Sequence, residues 1–211
     1  MTLPSIGCLP LKNTERRHNQ NDIRVVVVRT LDDLQRVSIL RALSYMAEQA
    51  CPYDEEFDGN DLCALHLLAT EGGEPVGSLR LRFFSAFCKV ERVCINPQRR
   101  GGAVLTHLMA NAFEIASRKG YRRMLAHMQA RLEGMWRHVM TCNVDHASDF
   151  EFSGFAYRTI EIPLPEHPKA IAFDTDPFVL LRPEGEWDMP GVLDPRRDVP
   201  EQTQAPAGRE L

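Results

Sequence analysis

Six consecutive residues, Gln98-Arg99-Arg100-Gly101-Gly102-Ala103, carry the strongest chemical signal in the chain. Two glycines and an alanine leave backbone amides bare, since no bulky side chain holds a ligand away. Behind them Val104, Leu105, Leu108, Met109, Ala112, Phe113 and Ala116 recur at helical spacing. A helix N-terminus offers unpaired N–H groups and a partial positive charge, and so suits an anion. Arg99 and Arg100 add full charges. The plain alternative is an ordinary strand-to-helix turn with solvated arginines.

Three other groupings could do chemistry. Ala50 to Asp61 is acidic and turn-rich, with Asp54, Glu55, Glu56, Asp58 and Asp61. It reads either as a solvated loop or as a wall whose carboxylates attract a cationic amine. Arg80 and Arg82 alternate with Leu79 and Leu81. They are expected on a solvated sheet face, or in contact with a carboxylate-bearing acceptor or a cofactor. His138, Cys142 and His146 are spaced four apart, which on one unbroken helix would align them as zinc ligands can be. Asn143-Val144-Asp145 makes a poor helix, so no metal site is assigned.

These residues need elements to hold them. Lys89 to Ile95 reads as a strand that stops at Asn96-Pro97, where proline removes a ladder donor. The long helix closes at Lys119 and Gly120. Upstream, Ile23 to Arg29 is expected as a strand with Val25 to Val28 buried. Thr30 is expected to cap a helix from Leu31 to about Glu48, with Leu34, Val37, Leu40 and Leu43 along one side. Leu62 to Thr70 and Pro75 to Phe84 read as an antiparallel pair joined by Glu71-Gly72-Gly73-Glu74. Tyr121 to Gln129 follows as a strand, and strand–helix–strand order predicts a right-handed parallel crossover. Leu132 to about Cys142 reads as a helix. Phe155 to Ile162 and Ala170 to Leu181 read as an antiparallel strand pair.

The six-residue turn, with Val93 and Ile95 ahead of Pro97, resembles the Q/R-x-x-G-x-G/A signature of the GNAT superfamily of acyl-CoA-dependent N-acyltransferases. Ala47-Glu48-Gln49-Ala50-Cys51-Pro52-Tyr53, running into Glu56-Phe57-Asp58-Gly59-Asn60-Asp61, resembles a run of the ElaA-type branch. With Ser153-Gly154-Phe155 the resemblance spans roughly residues 23 to 181. It implies an α/β fold: a mixed, mostly antiparallel sheet with a splayed central parallel strand pair, flanked by helices. It also implies acetyl-CoA or another acyl-CoA as co-substrate, with its pantetheine arm in the gap between the splayed strands. By the same resemblance Arg100, Gly101, Gly102 and Ala103 hold the pyrophosphate. Ile95 backbone aligns the pantetheine, and the Val93 N–H meets the thioester oxygen, where charge builds during attack.

Glu91 stands where many members carry a catalytic base. A base matters because roughly four lysine-like amines in ten thousand are neutral at pH 7. The tyrosine that many members place four residues before the Gly-Phe pair, to protonate the departing thiolate, is Phe150 here. That role is vacant or moved, with Tyr157, His127 and His146 as candidates. The implied activity is transfer of an acetyl or other acyl group to a small-molecule primary amine by direct attack. Glu55-Glu56-Phe57-Asp58 and Gly77-Ser78-Leu79-Arg80-Leu81 also resemble acyl-homoserine-lactone and long-chain N-acyl-amino-acid synthases, which would use acyl-carrier protein or a long-chain acyl-CoA. A non-catalytic acyl-CoA-binding module is the remaining alternative. A homodimer is left open.

Composition sets the bounds. The 211 residues suit a domain with a sizeable core. A net charge of −4 argues against nucleic-acid binding through phosphate contacts. No apolar run reaches the length of a bilayer span. Val25 to Val28 is too short an apolar stretch to make Arg16-Arg17 an export signal. The six cysteines show no tight framework, so free thiols in a cytoplasmic protein are expected. Residues 1–22 read as a flexible tail, 23–182 as the acyltransferase domain, and 183–211 as a Pro-rich tail in which Trp187 anchors the first part.

Overall fold

A computed structural model of the chain describes residues 22–194, apart from the side chains of residues 146–148. The N-terminal tail expected over 1–22 lies almost wholly outside the described residues, as does the end of the Pro-rich segment. The described chain forms two units, one running to Ala172 and a smaller one from Phe173 on. The first holds a seven-stranded sheet in the order β1 (Ile23–Val27), β2 (Leu65–Glu71), β3 (Glu74–Phe83), β4 (Cys88–Ile95), β5 (Arg123–Gln129), β7 (Phe155–Pro163), β6 (Asn143–Phe152).

β1 (Ile23–Val27) pairs antiparallel with β2 (Leu65–Glu71), and β2 with β3 (Glu74–Phe83). Gly72 and Gly73, at φ +59° and +88°, make the two-residue turn that right-twisted hairpins favour. β4 (Cys88–Ile95) pairs antiparallel with β3 and parallel with β5 (Arg123–Gln129). The crossover between them is α3 (Val104–Arg118), as expected. Its apolar face packs on β3 so tightly that a Cβ at Gly77 would stand 2.7 Å from Val104 Cγ1. Gly120, at φ +86°, ends it.

α1 (Leu31–Arg41) begins at Thr30, whose hydroxyl accepts from the Asp33 N–H. The stripe expected along it drifts. Steps of three lose about 60° each against a 3.6-residue turn, so Leu43 ends opposite Leu34. Leu43 is accordingly exposed, and Arg41 and Ser44 join Val37 and Leu40 inside. From Ala42 to Ala47 the helix widens into π-type turns, with the Glu48 N–H bonded to the Leu43 carbonyl. A short α2 (Tyr53–Glu56) follows.

Several expectations need correction. Val25 to Val28 is not a buried run: β1 is an edge strand that alternates, leaving Val26 45% exposed. The helix expected from Leu132 to Cys142 is shorter, α4 (Glu133–Val139). The antiparallel partners of β7 (Phe155–Pro163) are β5 and β6 (Asn143–Phe152), not Ala170 to Leu181. The latter stretch is turns and a four-residue α5 (Pro177–Leu180), started by Asp176 accepting from the Phe178 N–H. Asp-Pro there suits a helix start better than a ladder. In the smaller unit Trp187 is buried, and Arg182 binds both its carbonyl and Asp194.

Candidate active site

β4 and β5 keep company briefly. Their pairs run Cys88↔Met124, Lys89↔Leu125 and Val90↔Ala126, and pairing ends there. β4 goes on along β3 to Gly77↔Ile95, while β5 stays with β7 to Gln129↔Tyr157. The sheet therefore splits down its middle. A bulge in β4 assists: the register with β3 slips between Ser78 and Arg80, and Arg92 takes φ +52°. The split opens a cleft of about 520 Å³.

Of the residues singled out from sequence, Glu91, Val93, Ile95, Arg100 and Gly101 line this cleft. Gly102 and Ala103 complete the turn at its edge. Gly101 lies at φ +74°, a conformation that disfavours any Cβ. Ala103 is the first residue before α3, and no side chain caps it. The bare helix start thus faces the C-terminal ends of the parted strands. Arg100 is half-exposed and reaches back, bonding Glu48 at 2.6 Å and the Ile95 carbonyl at 3.2 Å.

Strand alternation carries Glu91 and His127 onto the same face of the sheet, with Gln129, Tyr157 and Phe150 beside them. This is the face that α1 covers, since Val37 and Leu40 pack on Leu68 and Cys94. Glu91 is not free there. One carboxylate oxygen accepts from Arg80 at 2.9 Å, and the other meets Lys89 at 2.7 Å. Burial alone would push its carboxyl up, but Lys89 and Arg80 outweigh that and hold it below the usual carboxylate range. Across the gap the His127 ring packs edge-on against Phe150 at 5.0 Å. Desolvation, then Lys89, lowers its pKa from the ordinary histidine value, so it is neutral at pH 7.

Neither reading of the acidic segment holds for Glu56, Asp58 and Asp61. These three surround buried arginines, while Asp54 is exposed and Glu55 accepts from the Ser153 hydroxyl. Arg80, fully buried, bonds Asp58 and Asp61 at 2.6–2.8 Å as well as Glu91. Arg41, equally buried, bonds Asp61 at 2.6 Å and the Glu56 carboxylate and carbonyl. Arg92 faces Glu56 at 3.2 Å and Asp58 at 3.4 Å. Arg80 is thus neither on a solvated face nor open to a ligand, because α1 and α2 fold over it. Arg82 is half-buried over the Phe84 ring.

His138, Cys142 and His146 do not share a helix face, since α4 ends at Val139 and His146 lies in β6. Cys94 lines the cleft, but burial pushes its thiol up to about 11, so it stays protonated at neutral pH. Sequence reasoning missed Tyr45, whose hydroxyl donates to the Val93 carbonyl at 2.8 Å and pins the bulged strand to the helix. It also missed a side-chain chain across the cleft: Arg131 Nε donates to Gln129 at 2.8 Å, and Gln129 donates to Gln49 at 2.8 Å. Gln49 stood inside the ElaA-type run, the one signal that could have drawn attention to it.

The acetyltransferase (GNAT) family pattern matches residues 34–137. A Bacillus subtilis (strain 168) protein that carries the name "Putative acetyltransferase BSU40680" is 31% identical over 109 residues, 49% of this chain and 73% of that one. The chain belongs to the GNAT acetyltransferase family. Solved structures agree on the fold of this GNAT chain. Escherichia coli ElaA superposes with a TM-score of 0.58 at 21% identity, over 65% of this chain and 98% of its own. BjaI, a CoA-dependent acyl-homoserine lactone synthase, also gives 0.58, at 17% identity over 68% of this chain and 84% of its own. Among the described residues of this GNAT chain, no helix is long and apolar enough to cross a membrane.

Proposed function

We propose that this GNAT chain transfers an acyl group from an acyl-CoA to the primary amine of a small molecule, by direct attack, in the cytoplasm. The observation that carries the proposal is the parting of β4 from β5 beyond Val90 and Ala126, beside a bare helix start at Gly101 to Ala103. A slot with main-chain donors on its wall and an anion cradle at its end suits a thioester on a phosphorylated arm. Gly101, Gly102, Ala103 and Arg100 hold the pyrophosphate, Ile95 backbone aligns the arm, and the Val93 N–H stabilises the thioester oxygen as it gains charge. Tyr45 fixes that strand by its bond to the Val93 carbonyl. The protonated Cys94 thiol supports attack by the amine itself rather than by an acyl-cysteine route.

Glu91 is the proposed proton acceptor, directly or through water, a role worth about 10²–10⁴ in rate. A second reading has a specific observation behind it: both Glu91 oxygens accept from cations. His127, across the gap, is the alternative. The pH dependence of kcat/KM for the amine separates them. With Glu91, already ionised, taking the proton of the bound ammonium, kcat/KM is flat through the neutral range and below it. With His127 it falls with a slope of one at the acid end, where the imidazole protonates, and His127→Asn removes that limb.

The donor is proposed as acetyl-CoA or a related short acyl-CoA. Turnover across acyl-CoA chain lengths tests this: a preference for long chains, or for acyl-carrier protein, assigns the chain to the long-chain synthase type. If CoA binds but no amine accepts label from acetyl-CoA, the chain is a binding module and the transferase reading falls.

A further inference from the structure

We infer that the cleft binds an acid group of its acceptor between the Arg131 guanidinium and the Gln49 side-chain amide, so that the acceptor is an amine that also carries a carboxylate. The inference rests on the amine-acylating reading above and specifies its substrate class.

The cations lining the cleft are not equivalent. Arg92 is matched by Glu56 and Asp58, and Arg100 by Glu48. Arg131 also lines the cleft, yet its recorded partner is the uncharged Gln129 oxygen, bound through Nε. Among the described residues no carboxylate pairs with it. Its neighbour Glu133 is already bound to Arg137 and Arg158. The terminal nitrogens of the guanidinium are left with their fork of donors, the geometry that takes a carboxylate on two bonds.

The chain of amides makes the second donor. An arginine Nε–H can only donate, so the Gln129 atom facing it is oxygen. The Gln129 nitrogen then faces Gln49, whose oxygen accepts, at 2.8 Å. Gln129 is 7% exposed and both ends of its amide are used, which fixes this polarity. The Gln49 –NH₂ remains as a donor at the other end of the chain. The cleft wall here offers donors with no matching acceptors, and an anion supplies what is missing.

The position favours the acceptor over the thioester as the source of that anion. Gln129 shares a sheet face with Glu91 and His127, the two candidate proton acceptors. Leu132, Met135, Trp136 and Tyr157 line the same cleft, which suits an apolar body between the amine and the acid. The acidic segment offers no competing amine-attracting wall in the cleft: Glu56, Asp58 and Asp61 are tied to arginines, and neither Asp54 nor Glu55 lines it.

The test compares each amino acid with its decarboxylated amine, L-phenylalanine with phenethylamine and L-leucine with isoamylamine, using acetyl-CoA and the full chain. The wild type is expected to favour the acid of each pair, and Arg131→Met to cut that preference roughly 10- to 100-fold, the worth of charge-assisted bonds. Arg131→Lys should restore part of it. A wild type with no preference overturns the inference. So does an Arg131→Met variant that binds CoA more weakly but 3′-dephospho-CoA unchanged, because the anion is then the CoA phosphate. Calorimetric titration of L-phenylalanine and phenethylamine into the CoA-loaded protein reads the subsite without turnover. Acid-selective binding lost in Arg131→Met supports the subsite even where no amine is acylated, an outcome that would fell the transferase reading alone. Equal binding of the two probes overturns it.

Discussion

Two polar regions lie on the same face of the sheet and obey opposite rules. Beneath α1 and α2 and along β4, Arg41, Arg80, Arg92 and Lys89 are met by Glu56, Asp58, Asp61 and Glu91, four cations to four carboxylates. A few residues along, where β5 has left β4, Arg131, Gln49 and His127 stand on a cleft with donors or lone pairs unspent. The first region is closed because buried charge is tolerable only when paired. The second is open because a site must hold its bonding capacity in reserve for a ligand. Glu91 belongs to both, which is why its carboxylate is ionised yet encumbered.

The contrast breaks most visibly at Arg80. Arg80→Met takes from Asp58, Asp61 and Glu91 the buried cation they share, leaving each one close cation (Arg92, Arg41 and Lys89 in turn), and is expected to lower unfolding free energy by about 3–5 kcal/mol in urea titration. A loss under 1 kcal/mol would mean that the network is solvated and the two regions are alike.

Gly102→Glu acts on the open side. No packing opposes a Cβ there, since the nearest atom would be the Arg99 carbonyl at 3.5 Å. The protein should keep its stability while CoA affinity drops at least about 100-fold, from bulk and repulsion at the anion cradle. Unchanged affinity by calorimetry would remove the pyrophosphate assignment.

Acid is the next lever. Burial raises the carboxyls of Asp58, Asp61 and Glu91, but Arg80 and its neighbours outweigh this and leave all three lowered. Their stabilisation is therefore fully present above the ordinary carboxylate pKa near 4 and is lost as pH falls through the folded values. Glu56, raised by burial despite Arg41, contributes in the opposite sense. The urea midpoint should hold steady from pH 7 to 5 and fall below about pH 4, and Arg80→Met should flatten that fall.

Tyr45 joins the regions and should give the smallest effect. Tyr45→Phe removes one hydrogen bond to Val93, worth about 1 kcal/mol in stability. Because that bond holds the strand proposed to meet the thioester, kcat should drop while CoA affinity stays. An unchanged kcat would leave Tyr45 as scaffold alone.

Much of the frame was legible in the residues. Proline after Ile95, glycines before Val104 and Gly120 after α3 are local steric facts, so they marked β4, the turn and the crossover helix correctly. Legibility failed where a residue's surroundings come from elsewhere in the chain. Asp58 and Arg80 each look like surface residues until α2 and β3 are laid together. β6 escaped notice because Asn143 to Phe152 is polar and draws its strand form from pairing with β7. His127 and Gln129 gave no local sign of facing Glu91, since that depends on which face β5 presents.

The amino-acid order alone settled where backbone must bend, where helices start and stop, and which turn could receive an anion, because torsional sterics act between neighbours. Which charges are spent inside and which are kept for a ligand was decided by the assembled sheet, because Coulomb and hydrogen-bond partners here lie tens of residues apart, 80 in the case of Gln49 and Gln129.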